Sequence, residues 1–147
     1  MKKKVIVWPE MSWASLSGYV FVPLVASHMA VNRILPLVVE GGSSGVGLGF
    51  VSHGFAKHPV LAWSTYTALI GTAMGHIVWG VVRWRGWMPS GMERERKRRW
   101  WVVNGAVAGV TALWMAGGLG VVARGGAEGG WVGRGYDDLY AWIPFLG

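Results

Sequence analysis

His76 lies in an apolar stretch of membrane-spanning length and shares one helix face with Thr72, Gly80 and Arg83. An ionisable ring inside a membrane segment is costly, so its presence there indicates a function. A b-type haem needs an axial ligand, space for the macrocycle and a cation near a propionate. His76 would be the ligand, Gly80 would leave the space, and Arg83 would be the cation. The spacing therefore predicts a haem-binding face.

A second set of residues lies in the first apolar segment, where Ser17-Gly18 precedes His28. Ser17 and His28 are eleven residues apart, about 1100° of helical rotation, and therefore share one face. Ser17, Gly18 and His28 are accordingly predicted to line a cofactor site, with His28 and His76 as ligands of haem iron. The alternative is that each ring only hydrogen-bonds a neighbouring carbonyl or hydroxyl group, as buried polar groups must. Both interpretations stay open at the level of sequence.

The depths of the two histidines in the membrane decide how a haem would be held. His76 is seven residues from Arg83, about 10 Å at 1.5 Å per residue, whereas His28 lies near the opposite end of its segment. The rings should therefore differ in depth by roughly 15 Å in a hydrocarbon core of about 30 Å. Because one iron takes both axial ligands at one depth, each histidine would need a partner from a second copy or a second similar unit, unless a kink at Pro23 shifts His28.

The composition is that of a membrane domain. The chain has 147 residues, of which 52% are hydrophobic and 14% charged, whereas soluble domains carry about 25% charged residues. The 24 Gly and 11 Trp fit this class, because Gly is frequent in membrane helices and Trp collects at bilayer interfaces. Cysteine is absent, which excludes disulfides, Fe–S clusters and cysteine-based zinc sites.

Three segments are long enough to span a bilayer, at about 13–37, 59–83 and 100–123. The predicted fold is an all-α membrane protein, a three-helix bundle of the haem-anchor type over residues 13–123. Residues 1–12 form a basic N-terminal segment, and the aromatic-rich tail, residues 124–147, is predicted to lie along the interface.

The net charge of +7 is concentrated beside the apolar segments, in Lys2 to Lys4 and between residues 83 and 99. Basic residues that flank membrane spans set topology, so we do not expect nucleic-acid binding, and the lipid bilayer is the expected partner. Three spans place the N-terminus and the 83–99 loop on one side, and the 38–58 loop and the tail on the other. The positive-inside rule assigns the basic side to the cytosol.

The 38–58 loop contains the Gly-rich stretch 41–49, which is predicted to be a flexible turn because it lacks the preceding strand of a dinucleotide-binding motif. His53 and His58 follow in the same loop. No carboxylate stands near them in the sequence, so ordinary surface roles are predicted for both.

The order Ser17-Gly18, then His28, then His76-x-x-x-Gly80 resembles the cytochrome b anchor subunits of succinate dehydrogenase and fumarate reductase. That resemblance implies a haem b redox subunit that exchanges electrons with quinone. The chain carries no recognisable flavin or nicotinamide domain, so it is not expected to be an enzyme on its own. A third possibility is a purely structural membrane subunit without a cofactor.

A longer resemblance covers roughly residues 13–125. It is carried by Ser17-Gly-Tyr-Val-Phe-Val-Pro-Leu, His28, Asn32-Arg-Ile-Leu-Pro36, Glu40-Gly-Gly-Ser-Ser-Gly, Val51-Ser-His-Gly-Phe-Ala-Lys-His-Pro59 and His76-Ile-Val-Trp-Gly80. These stretches resemble a fungal family of the mitochondrial outer membrane. The resemblance implies a multi-pass protein that acts in lipid homeostasis and membrane-contact organisation, with a bridge-like lipid-transfer protein as partner. Family members usually carry two such units, and this chain resembles the second, which agrees with the need for a partner unit.

Overall fold

The computed structural model describes residues 11–144 and 146, and it is helical in the apolar segments, in part of the 38–58 loop and in the tail. Its helices are α1 (Trp13–Glu40), α2 (Leu48–Lys57), α3 (Pro59–Trp84), α4 (Glu93–Ala123) and α5 (Gly130–Ala141). Helices α1, α3 and α4 are long and apolar enough to cross a membrane. The predicted all-α fold with three membrane-spanning helices is therefore confirmed, while Lys2 to Lys4 lie outside the described residues.

Helix α1 begins and ends where its local sequence dictates. The Oγ atom of Ser12 accepts a hydrogen bond from the backbone N–H of Ser15 at 3.2 Å, which satisfies one of the free donors of the first turn. Gly41 follows the last turn with φ 75°, a left-handed conformation that suits glycine and stops the helix. The helix thus extends three residues beyond the predicted end at 37.

Helix α4 begins at Glu93, well before the predicted start at 100. The sequence prediction followed hydropathy, whereas the helix continues through the charged residues 93–99. Glu93 and Glu95 lie in the first turn, where their charges interact favourably with the helix dipole. Glu93 also pairs with Lys97 at 2.7 Å, one turn further on. The basic segment is therefore a helical extension that projects beyond the apolar part of α4.

The three long helices form a row. Helix α3 packs against α1 on one side and α4 on the other, whereas α1 and α4 have little contact with each other among the described residues. Large apolar side chains on all three helices are exposed, as expected of surfaces that face lipid. This arrangement leaves an open groove between α1 and α4 along one face of α3.

The best-buried core lies at one end of the row. Phe50 of α2 is 0% exposed and Leu139 of α5 is 1% exposed, and Val46 and Tyr140 complete the cluster. We call α2, α5 and Val46 the cap. Its core packs against Val31 and Leu35 near the end of α1, together with Tyr136, Ile143 and Leu146. The cap joins the 38–58 loop to the tail, in agreement with the prediction that both lie on the same side of the membrane.

Gly54 allows the two cap helices to approach closely. A Cβ atom at this position would lie 2.8 Å from Cζ of the Tyr140 ring, well inside van der Waals contact. The ring is held in place because its hydroxyl group donates to the Phe50 carbonyl oxygen at 2.9 Å and because it stacks on the Phe50 ring, with centroids 4.5 Å apart. The absence of a side chain at residue 54 is thus a packing requirement.

We expect Gly54→Ala to destabilise the cap by about 1–3 kcal/mol, the usual cost of overpacking a well-packed core. Hydrogen exchange of the α5 amides should become faster, while exchange in α3 changes little. Gly47→Ala is the matched control, because a Cβ atom there meets no other atom within 4 Å. Equal effects of the two substitutions would contradict the packing role of Gly54.

Candidate functional site

The structure brings Ser17, Gly18 and His76 together at the contact between α1 and α3. Nδ1 of His76 lies 3.2 Å from Oγ of Ser17 and 3.1 Å from the carbonyl oxygen of Ala14. A Cβ atom on Gly18 would lie 3.2 Å from Cε1 of the imidazole ring, so glycine gives the ring its space. The ring also stacks on Phe21, with centroids 6.2 Å apart and planes 15° apart.

These contacts determine which nitrogen of His76 carries the proton. The Ala14 carbonyl oxygen can only accept a hydrogen bond, so Nδ1 must be the donor in that contact. The Ser17 hydroxyl group donates to the same carbonyl oxygen at 2.9 Å and leaves its oxygen lone pairs facing Nδ1. Nε2 of the neutral ring then carries a lone pair. This is the arrangement in which metal-binding histidines are commonly held, with the far nitrogen donating to a carbonyl group.

Gly80 and Arg83 lie on α3 beyond His76, towards the basic side. A Cβ atom on Gly80 would meet no other atom within 4 Å, so the helix surface there is open, and Arg83 is exposed. The structure therefore contains the open position and the cation that the spacing predicted. Whether they bind a cofactor stays a prediction.

His28 lies in a different environment, eleven residues further along α1 than Ser17 and near the middle of the helix. Its ring meets the edge of Tyr66 on α3, with centroids 5.5 Å apart and planes 84° apart. The Asn32 amide nitrogen donates to the His28 carbonyl oxygen at 2.9 Å and lies 3.4 Å from Nδ1 of the ring.

A wide helical turn, Ala30–Ile34, follows His28, and the N–H of Leu35 donates back to Ala30. Pro36 stands two residues after it and has no N–H to donate, which favours such a local rearrangement of the hydrogen bonds. Asn32 lies in this turn, four residues from His28, so its contact with His28 is local in the sequence.

The two histidines lie at different depths. His28 contacts Tyr66, whereas His76 is ten residues further along the same helix, a rise of about 15 Å. This separation agrees with the depth difference derived from the sequence. The two rings of one chain therefore do not face a common iron position.

His28 lines a cavity of about 260 Å³ that lies between the cap and the membrane helices. The cavity is mostly apolar, with Leu24, Val31 and Leu69 among its wall residues. Its polar side chains come from three of the surrounding elements: Ser27, His28 and Asn32 from α1, His58, Thr65 and Tyr66 from around α3, and Tyr140 from α5. A cavity of this kind suits an amphipathic, membrane-soluble molecule with a small polar group.

The prediction of an ordinary surface role for His53 is wrong. Its side chain is 0% exposed, and its Nε2 lies 2.9 Å from Oδ1 of Asp137 in α5. Nδ1 accepts a hydrogen bond from the backbone N–H of Glu128 at 3.0 Å, so Nε2 carries the proton and donates to the carboxylate. The carboxylate that the local sequence lacked is supplied from 84 residues away. His58, in contrast, is half-buried at the cavity wall.

His53, Asp137 and Lys57 form a polar link between α2 and α5. The hydrogen bond from His53 is the main cause that holds the pKa of the Asp137 carboxyl below its ordinary value, and Lys57 at 3.4 Å adds to the effect. On the other side of the cap core, burial raises the pKa of the Tyr140 hydroxyl, with the neighbouring tyrosines Tyr66 and Tyr136 adding to it. Tyr140 therefore keeps its proton and its hydrogen bond to Phe50.

Sequence reasoning missed three residues that make long-range hydrogen bonds at the cap: Glu128, Asp137 and Tyr140. The tail was interpreted from its aromatic content alone, as a segment lying along the interface. The signal that was available is the spacing of Tyr136, Leu139 and Tyr140, which share one face of a short helix and point to a packed partner.

Three apolar helices in a row, closed at one end by a small packed cap, define a multi-pass membrane protein. The model of the MDM10-complementing protein 1 transmembrane domain matches residues 23–127. The chain therefore belongs to this family, which implies a mitochondrial membrane. The matched region includes His28, His53 and His76, whereas Ser17, Gly18 and α5 lie outside it.

No curated protein and no solved structure matches the chain. The resemblance to the cytochrome b anchor subunits of succinate dehydrogenase and fumarate reductase thus stays a prediction. The family match supports the longer resemblance, to the mitochondrial membrane family, over most of the range from which it was inferred.

We expect the contact between α2 and α5 to weaken on acidification. Because the pKa of Asp137 is lowered in the folded protein, its stabilising contribution is complete above the ordinary value of 3.8 and is lost as the pH falls through the lowered value. Asp137→Asn should accelerate hydrogen exchange of the α5 amides at neutral pH and reduce this acid dependence.

Asp138→Asn is the control, because it removes the same charge from the neighbouring residue, which is exposed. If both variants exchange alike at every pH, the pairing of His53 with Asp137 does not stabilise the cap.

Proposed function

We propose that this chain acts in mitochondrial lipid homeostasis and membrane-contact organisation, as a membrane unit that holds an amphipathic lipid-like molecule beneath its cap. The observation that carries the proposal is the cavity of about 260 Å³ beside His28, which is lined by Tyr140 of the cap and by apolar residues of the membrane helices. Membership of the MDM10-complementing protein 1 family supports the mitochondrial setting. The outer membrane, and a bridge-like lipid-transfer protein as partner, are part of this proposal.

The shape and chemistry of the cavity favour a lipid-like ligand over a purely structural role. Apolar walls exclude water from a hydrocarbon body, while Asn32, His58 and Tyr66 provide donors and acceptors for one small polar group. Polar side chains at membrane depth are costly unless they are paired. The polar group of a ligand would add to the hydrogen bond that the Asn32 amide already donates to His28.

A substitution that fills the cavity tests this proposal. Ala62 lines the cavity on α3, so Ala62→Phe should fill it without adding charge. In cells with this variant as the sole copy, we expect altered mitochondrial phospholipid composition and normal respiration. Ala68→Phe adds the same bulk on an exposed part of the same helix and should behave like the wild type. Defective respiration with unchanged lipids would favour a redox subunit instead.

A second proposal concerns haem b, and the geometry of His76 favours it. The Ala14 carbonyl oxygen holds Nδ1 as a donor, which leaves Nε2 as the available ligand atom, and the open surface at Gly80 offers room. His76 would be one axial ligand, and Arg83 would hold a propionate. Bound haem would supply one-electron chemistry. Because His28 lies about 15 Å away in depth, the second ligand would come from another copy or a similar unit.

An absorption spectrum and a pyridine haemochrome assay on the detergent-purified protein, taken with its oligomeric mass, test the haem proposal. We expect a b-type spectrum that responds to dithionite, an oligomer, and loss of the haem in His76→Leu. His58→Gln, a histidine substitution at the distant cavity wall, should retain it. Absence of haem from the wild-type protein, or one haem per strict monomer, would contradict the shared site.

A further inference from the structure

An open groove lies at the basic end of the helix row, away from the cap. Two adjoining hollows, of about 350 and 380 Å³, share the residues Trp13, Trp79 and Trp100 and therefore form one groove. The groove runs between α1 and α4 along the face of α3. It is separate from the His28 cavity, while Ser17, which contacts His76, also lines its deep part.

The floor of the groove consists of small side chains. Gly71, Thr72 and Gly75 of α3 line its deep part, between Leu16 and Val20 of α1 and Asn104 of α4. A Cβ atom on Gly71 would meet no other atom within 4 Å, so the space above this residue is open. An extended hydrocarbon chain fits such a floor, because α1 and α4 have little contact with each other across it and the floor residues are small.

The mouth of the groove has the opposite character. Arg96 and Lys97 line it together with Met88 and Pro89, and the three shared tryptophans lie between this charged end and the apolar floor. Lys97 pairs with Glu93 in an exposed ion pair, so Arg96 contributes most of the unbalanced positive charge. A guanidinium group binds phosphate in a bidentate manner, and tryptophan favours the level of lipid headgroups.

The distance along the helices from the charged mouth to the apolar floor matches the length of an amphipathic ligand. From Arg96 to Asn104 on α4, and from Trp79 to Gly71 on α3, the rise is about 12 Å in each case. The groove thus begins at the level of the basic helical extension and ends within the apolar part of the bundle. A headgroup phosphate at the mouth would place an acyl chain over Gly71 and Gly75.

We propose that this groove, with Arg96 and Lys97 at its mouth and Gly71 on its floor, is a binding site for one anionic phospholipid. Charge complementarity selects the headgroup, and the open floor accepts the chain. A general attraction of anionic lipids to the basic segment would not distinguish Arg96 and Lys97 from Arg94 and Arg98, which are in the same helix but do not line the groove.

Native mass spectrometry of the full chain tests the site, using protein released from nanodiscs that contain phosphatidylcholine and phosphatidylglycerol. The wild type should retain one phosphatidylglycerol in preference to phosphatidylcholine. The double variant Arg96→Gln/Lys97→Gln should lose this preference at least several-fold. Arg94→Gln/Arg98→Gln, with the same change in net charge, should keep it. Equal losses in the two double variants would overturn the proposal, because the attraction would then be general.

A second pair of variants tests the floor independently of charge. Gly71→Leu should reduce retention of both lipids, whereas Gly109→Leu, at an exposed position on α4 that is also free of neighbours within 4 Å, should not. Circular dichroism of each variant establishes that the helices are intact. Unchanged retention in a folded Gly71→Leu protein would show that the chain does not lie in the groove and would overturn the proposal.

Discussion

The contact between α1 and α3 is the interaction on which the other features depend. A histidine lies at each end of it. His76 of α3 donates to the Ala14 carbonyl oxygen of α1, and His28 of α1 packs against Tyr66 of α3. In a membrane, where water does not compete, such polar contacts fix the register of two helices more firmly than apolar packing alone. The cavity beneath the cap and the groove on the basic side both have walls from this helix pair.

The membrane-spanning helices were predictable because their signals are local. Hydropathy acts within a short window, and the structure has the three spans that it indicates. The N-cap at Ser12 and the glycine after Glu40 set the ends of α1, and the second of these was not used to place the predicted end at 37. The start of α4 was placed too late because hydropathy marks where a helix enters the membrane. It does not mark where the backbone begins to form helical hydrogen bonds.

The cap was not predictable in the same way, because its contacts join distant parts of the chain. His53 looked like a surface residue since its carboxylate partner, Asp137, is 84 positions away. Gly54 looked like one glycine among many, and only the position of the Tyr140 ring shows why it must be small. Contacts at such separation depend on how α2 and α5 dock, which neither helix determines alone. Ser17, Gly18 and His76 do lie in contact, because helical rotation and rise set which residues can face a neighbouring helix. Their role as a cofactor site stays a prediction.

The arrangement of the spans in a row has a consequence for how molecules reach them. A closed bundle hides its interior, so a ligand must enter through the ends, from water. Here α3 has partners on two sides, and the face between α1 and α4 opens sideways to the hydrocarbon. A lipid can therefore arrive by diffusion within its own leaflet and exchange without leaving the bilayer. Its local concentration is then that of the membrane, so even a weak site is occupied for much of the time, and the composition of the leaflet determines which lipid occupies it.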